Sequence, residues 1–143
     1  MTIRDILRVK GPNVVSTTPG QPVREALRLL VQHNIGALLV MEQGLEGIIT
    51  ERDILRAAAD DPRRLETATV RDLMTTDVVT TTLDAEIHQV MDTITERRIR
   101  HLPVLQGGQL AGIVSIGDVV NALRDVIETE NRQLQAYIVG ARL

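Results

Sequence analysis

Gly47-Ile48-Ile49-Thr50-Glu51-Arg52-Asp53 and Gly112-Ile113-Val114-Ser115-Ile116-Gly117-Asp118 are one phrase written twice. In each, an apolar β-rich run stops at a hydroxyl, and an aspartate follows three residues later where a helix opens. Glu42-Gln43-Gly44 and Gln106-Gly107-Gly108 stand before the two copies as hairpin signals. Each phrase therefore reads as the second strand of a hairpin running directly into a helix.

Working outward, the rest of the chain is duplicated as well. Thr2-Ile3-Arg4-Asp5-Ile6-Leu7 returns as Thr69-Val70-Arg71-Asp72-Leu73-Met74, each a capping-box start with a short apolar turn. Val14 to Pro19 matches Val78 to Leu83, two β-branched runs that predict short strands. Val23, Ala26, Leu27, Leu30 and Val31 form one helical stripe, and Ile87, Val90, Met91 and Ile94 form its counterpart. Ile35–Val40 and Ile99–Val104 predict the first hairpin strands, and Ile54–Ala59 and Val119–Leu123 the closing helices. Thr2 and Thr69 lie 67 apart, Val14 and Val78 64, and Gly47 and Gly112 65. The copies thus differ only by small loop changes.

The expected fold is α/β of the α+β type: two pseudo-symmetric β-α-β-β-α repeats packed sheet to sheet as one globular module. Neither repeat is large enough to bury both faces of its sheet alone. The boundaries are 1–60 for repeat one, 61–68 for a linker with Pro62 as helix breaker, 69–125 for repeat two and 126–143 for a helical extension. From Leu123 into the extension, Val126, Ile127, Leu134 and Ile138 continue an approximate stripe. It suits a helix packed on its own domain or one that meets a partner subunit.

Composition narrows the function. The 143 residues are 43% hydrophobic and 24% charged, with a net charge of −3 and a pI near 5.6. Tyr137 is the single aromatic residue. The charge argues against a phosphate-backbone binder, and the lack of aromatic faces against a single-strand platform, so no nucleic-acid partner is expected. With no cysteine there is no thiolate site or Cys nucleophile. No apolar run reaches the roughly 20 residues of a membrane span and no secretory h-region is visible, so a cytoplasmic chain without a membrane partner is expected. His33, His88 and His101 lack metal-ligand spacing, and His33 and His88 read as surface residues. Neither a Walker loop nor a nucleophile elbow is present. These observations predict no catalytic or metal site, and a chain that is not an enzyme.

Thr50-x-x-Asp53 and Ser115-x-x-Asp118 are in form helix caps, as are Thr2-x-x-Asp5 and Thr69-x-x-Asp72. The first two differ in being preceded by a strand. There the helix amides and dipole favour an anion, and a carboxylate can accept hydrogen bonds from a ribose diol.

Two β-α-β-β-α copies ending Gly-h-h-[Thr/Ser]-x-x-Asp resemble a tandem pair of CBS domains, a Bateman module, over roughly residues 2–125. Thr50-Glu51-Arg52-Asp53-Ile54-Leu55-Arg56 and Arg100-His101-Leu102-Pro103-Val104 are similar to small stand-alone bacterial members. The resemblance implies regulation: an adenine nucleotide bound in clefts between the copies, acting on an unknown effector protein through a ligand-dependent conformational change. AMP is the expected ligand, with ADP, ATP, NAD and S-adenosylmethionine as alternatives. A homodimer of two pairs arranged as a flat disc is also implied.

Carried over by the resemblance, one cleft would use Thr17, Thr18, Ile35, Gly36, Ala37, Leu38, His101, Ser115 and Asp118. The other would use Thr50, Arg52, Asp53, Thr81, Thr82, Ile99, Arg100, Leu102 and Pro103. Ile35, Leu38, Ile99 and Leu102 would be apolar walls for adenine. His101 would reach the phosphates beside Asp118, whereas the Asp53 cleft would rely on Arg52, Arg56 or Lys10. A ligand-independent dimerisation or scaffold module, in which the pairs only cap helices, stays open.

Overall fold

A computed structural model describes residues 1–141. The order is α1 (Ile3–Lys10), β1 (Ser16–Thr17), α2 (Val23–His33), β2 (Ala37–Met41), β3 (Leu45–Thr50), α3 (Glu51–Asp60), α4 (Arg64–Thr67) and α5 (Val70–Leu73). Then follow β4 (Thr81–Thr82), α6 (Ile87–Arg97), β5 (His101–Gln106), β6 (Gln109–Ser115) and α7 (Ile116–Ala141). The strands form two three-stranded sheets, β1-β2-β3 and β4-β5-β6. The mixed α/β repeat is as expected.

In each sheet the short strand is parallel to the next, Ser16 beside Leu39 and Thr81 beside Val104. The β2–β3 hairpin is antiparallel, with Ala37 opposite Thr50. At the other hairpin Gly107 and Gly108 have φ of 58° and 80°, the left-handed pair that a tight primed turn requires. Helices α2 and α6 both end on a left-handed residue, Asn34 at φ 51° and Arg98 at φ 53°.

The chain divides into two compact units that cut across the sequence repeats. One holds Met1–Pro12, Thr81–Gln106 and the chain from Ala111 onward; the other holds Asn13–Thr80 with Gly107–Leu110. Each unit therefore joins the body of one repeat to the opening segment of the other. In the first, the Ile3 amide donates to Ala85 O at 3.0 Å and the Arg4 amide to Leu83 O at 2.9 Å. In the second, the Val70 amide donates to Gln21 O at 2.8 Å and the Arg71 amide to Pro19 O at 2.9 Å. The two joints are the same joint, made with matched residues.

The second unit is centred on Val23, Ala26, Leu30, Leu38, Val40, Ile49, Ile54, Ala68 and Val70. These are the apolar stripe of α2, the inward residues of the hairpin, one face of α3 and the opening turn of repeat two. A buried Leu or Ile at such a position contributes about 1.5–3 kcal/mol. In the first unit Ile3, Ile87, Leu102, Val104, Val114 and Val119 are fully buried.

Two sequence expectations change. Only two residues of Val14–Pro19 and two of Val78–Leu83 are strand. The stretch 61–68, expected as linker, contains α4, which packs on α2 and α3. The extension 126–143 is helical as far as Ala141, as the last part of the 26-residue α7; residues 142–143 lie outside the described residues. Ile127, Leu134, Tyr137 and Ile138 are exposed on α7, so its end does not pack on its own unit.

Candidate ligand-binding site

Strand β3 ends on Thr50, whose extended backbone turns the chain into α3. Asp53 Oδ2 accepts from the Thr50 amide at 2.9 Å and from the Thr50 hydroxyl at 3.0 Å. The Thr50 hydroxyl in turn accepts from the Asp53 amide at 3.2 Å. In the other unit Asp118 Oδ2 accepts from the Ser115 amide at 2.8 Å, and Ser115 Oγ accepts from the Asp118 amide at 3.2 Å. Both phrases are reciprocal capping boxes of the expected form.

Each phrase is tied to the strand before it. The Glu51 amide donates to Gly36 O at 2.9 Å, and the Ile116 amide to Arg100 O at 2.8 Å. Gly36 and Arg100 thus hold equivalent places, and Ala37 and His101 follow them as the first residues of β2 and β5. The Arg52 and Gly117 amides, second in their helices, have no acceptor among the described residues. These are the donors that a helix N-terminus presents to an anion.

The two phrases differ in charge. Lys10, the last residue of α1, places Nζ 2.6 Å from Asp118 Oδ2 and 2.9 Å from Ile113 O. Burial pushes the Asp118 carboxyl up, but Lys10 and the Ser115 donors outweigh it and hold it below the ordinary aspartate value. Lys10, a candidate cation for Asp53 on the sequence, belongs instead to Asp118, because α1 packs against α7. Arg52 and Arg56 are exposed and make no ion pair among the described residues.

The remaining expected residues fall as follows. Thr17, Thr18, Ile35, Gly36, Ala37, Leu38, Thr50, Arg52 and Asp53 are in one unit. Thr81, Thr82, Ile99, Arg100, His101, Leu102, Pro103, Ser115 and Asp118 are in the other. Each set implied by the resemblance has members in both. Thr17 is buried and its hydroxyl has no partner among the described residues, a state that costs about 1–3 kcal/mol. Leu38 and Leu102 are fully buried, so their side chains are core and cannot serve as open walls. Ile35 and Ile99 keep partial exposure, Arg100 is exposed and His101 half-buried. His33 and His88 are exposed, as expected, and His88 Nδ1 lies 2.8 Å from Glu86 Oε1. Among the described residues there is no cluster that could hold a metal and no helix long and apolar enough to cross a membrane.

Comparison with known proteins agrees with the geometry. The CBS domain profile matches residues 3–60 and again 70–125. A curated relative, the mitochondrial CBS domain-containing protein CBSX3 of Arabidopsis thaliana, is 38% identical, with 97% of this chain and 72% of the relative covered. The crystal structure of the CBS-domain containing protein ATU1752 from Agrobacterium tumefaciens superposes with a TM-score of 0.83 at 39% identity, over 85% of this chain and 98% of that one. The CBS domain pair of protein MJ0100, solved in complex with methylthioadenosine and S-adenosyl-L-methionine, gives a TM-score of 0.77 at 26% identity, over 87% of this chain and 97% of that one. Two matched phrases, two matched joints and two profile matches make this chain a member of the CBS-domain family, carrying the domain as a tandem pair.

Proposed function

We propose that the chain is a cytoplasmic, regulatory sensor of an adenosine-derived ligand, without catalytic activity of its own, and that it works as a homodimer on a partner protein. The observation that carries this reading is the pair of strand-to-helix phrases. Asp53 and Asp118 are each engaged through Oδ2, which leaves Oδ1 to accept from a ribose hydroxyl. The first-turn amides of Arg52 and Gly117 are open to an anion, and the unpartnered Thr17 hydroxyl suits a polar ligand atom. Methylthioadenosine and S-adenosyl-L-methionine, the ligands of the MJ0100 pair, share the adenosyl ribose with AMP, ADP, ATP and NAD. AMP fits the modest basic inventory best.

Output follows from differential affinity: a ligand that binds one arrangement of the repeats better than another shifts the population toward it, and the partner reads that shift. The test is thermal unfolding against AMP, ADP, ATP, NAD, methylthioadenosine and S-adenosylmethionine, with Asp53→Ala and Asp118→Ala alongside. A ligand at about 100 times its Kd stabilises by about 2.7 kcal/mol. Stabilisation by one adenosyl ligand, reduced in an aspartate variant, supports the sensor. Unchanged melting with every ligand points to a scaffold in which both pairs serve only as caps.

A further inference from the structure

Matched positions of the two units are filled by different chemistry. Ile48 O accepts the Thr75 amide at 2.8 Å, a backbone bond. Its counterpart Ile113 O accepts the Lys10 ammonium at 2.9 Å, and the same ammonium continues to Asp118 Oδ2 at 2.6 Å. The cause lies in helix length. Helix α5 ends at Leu73 after four residues, so the chain is already extended at Thr75 and pairs with β3. Helix α1 continues for eight residues to Lys10, and its last side chain does what the backbone does on the other side. The residue 67 after Lys10 is Asp77. Asp53 has no cation on it among the described residues, and its Oδ2 takes the Thr50 hydroxyl instead.

We infer that Lys10 is a charge selector for the Ser115–Asp118 pair, favouring phosphorylated adenosines over neutral or cationic adenosyl compounds. This rests on the ligand reading above and extends it to ligand class. Without ligand the ammonium rests on Oδ2 of the carboxylate whose Oδ1 a ribose hydroxyl would use, and it draws off the negative charge that would strengthen that bond. A neutral nucleoside therefore shares Asp118 with Lys10 and meets a weakened acceptor. A phosphorylated ligand supplies an oxyanion to which the flexible lysine stem can turn, so that the charge lost at Asp118 is regained. At Thr50–Asp53 there is no lysine to displace, and neutral or cationic adenosyl ligands meet no such barrier.

The experiment compares AMP with adenosine, which differ only in the phosphate, by calorimetric titration of Asp53→Ala protein with and without Lys10→Met. With Lys10 present, AMP binds more tightly than adenosine. Lys10→Met lowers that ratio about tenfold, the weight of one charge-assisted hydrogen bond. Equal changes for both ligands reduce Lys10 to a structural role and overturn the inference. A second readout needs no ligand: the Asp118 carboxyl is titrated by NMR in both proteins, and Lys10→Met must raise its pKa. An unmoved Asp118 also overturns the inference. If the carboxyl moves but neither ligand binds either protein, the ligand reading itself has failed and the selector falls with it.

Discussion

Ile48 and Thr75 exchange both of their backbone hydrogen bonds, Ile48 N to Thr75 O at 2.9 Å and Thr75 N to Ile48 O at 2.8 Å. This bridge brings the start of repeat two onto the strand that leads to Asp53. It also accounts for the glycine that opens the phrase. A Cβ on Gly47 would lie 2.7 Å from Thr75 O, whereas the nearest atom to one on Gly112 would be in the Leu7 side chain, at 3.0 Å.

The two phrase glycines should therefore respond differently to alanine. Either substitution restricts the unfolded chain, a gain of about 0.4–1 kcal/mol. At Gly112 the Leu7 side chain can turn aside, and the net change in urea stability should be under about 1 kcal/mol. At Gly47 the obstacle is the carbonyl of Thr75, a residue whose backbone is held by two hydrogen bonds to Ile48. Gly47→Ala should lose about 1–3 kcal/mol. Equal losses at the two sites would mean that the Thr75 bridge yields as easily as a leucine side chain.

A second expectation concerns acid. The Asp118 carboxyl is raised by burial but lowered more by Lys10 and the Ser115 donors, ending below the ordinary value of 3.8. As pH falls, the unfolded chain takes up this proton before the folded one does. The ion pair's contribution is thus complete above the ordinary value and is lost as pH drops through the folded pKa. Near neutrality, Asp118→Asn should cost about 1 kcal/mol after allowance for solvent screening. Urea melts from about pH 7 to about pH 3 should show the gap between the proteins closing in the acid range. A gap independent of pH would place the Asp118 contribution in packing rather than charge.

Much of this fold was legible in the sequence, for local reasons. The stripes of α2 and α6 and the strand-to-cap transitions at Thr50 and Ser115 are short-range patterns, and the structure has them, except that Val31, expected in the α2 stripe, is 81% exposed in the last turn of the helix. The strands β1 and β4 are shorter than their β-branched runs because only two residues of each pair with the neighbouring strand. What could not be read was which core each opening segment joins. Thr2-x-x-Asp5 announces a helix start, but its bonds to Ala85 and Leu83 lie more than a repeat away. The placement of Lys10 on Asp118 follows from that long-range joint. Leu38 and Leu102 look in sequence like any apolar wall, and only the packed hairpins reveal them as core.

The remaining prediction concerns α7. Val120, Ile127 and Leu134 recur every seven residues and Ile138 follows four later, with exposures of 39%, 56%, 58% and 44%. Residues seven apart share a helix face, drifting by only about 20° per repeat, so these side chains form an apolar seam of the kind that pairs helices. In the homodimer proposed above, this seam is where a second copy of α7 would pack. Ile127→Glu with Leu134→Glu tests it cleanly. Both side chains are solvent-exposed within one chain, so the fold of each unit should change by no more than about 0.5 kcal/mol per site. Across a helix pair, each lost apolar burial removes about 1.5–3 kcal/mol and the new carboxylates repel. Sedimentation equilibrium should show the wild-type chain as a dimer and the double variant as a monomer with unchanged far-ultraviolet helix signal. A variant that remains dimeric would move the interface off α7, and a monomeric wild type would remove the homodimer.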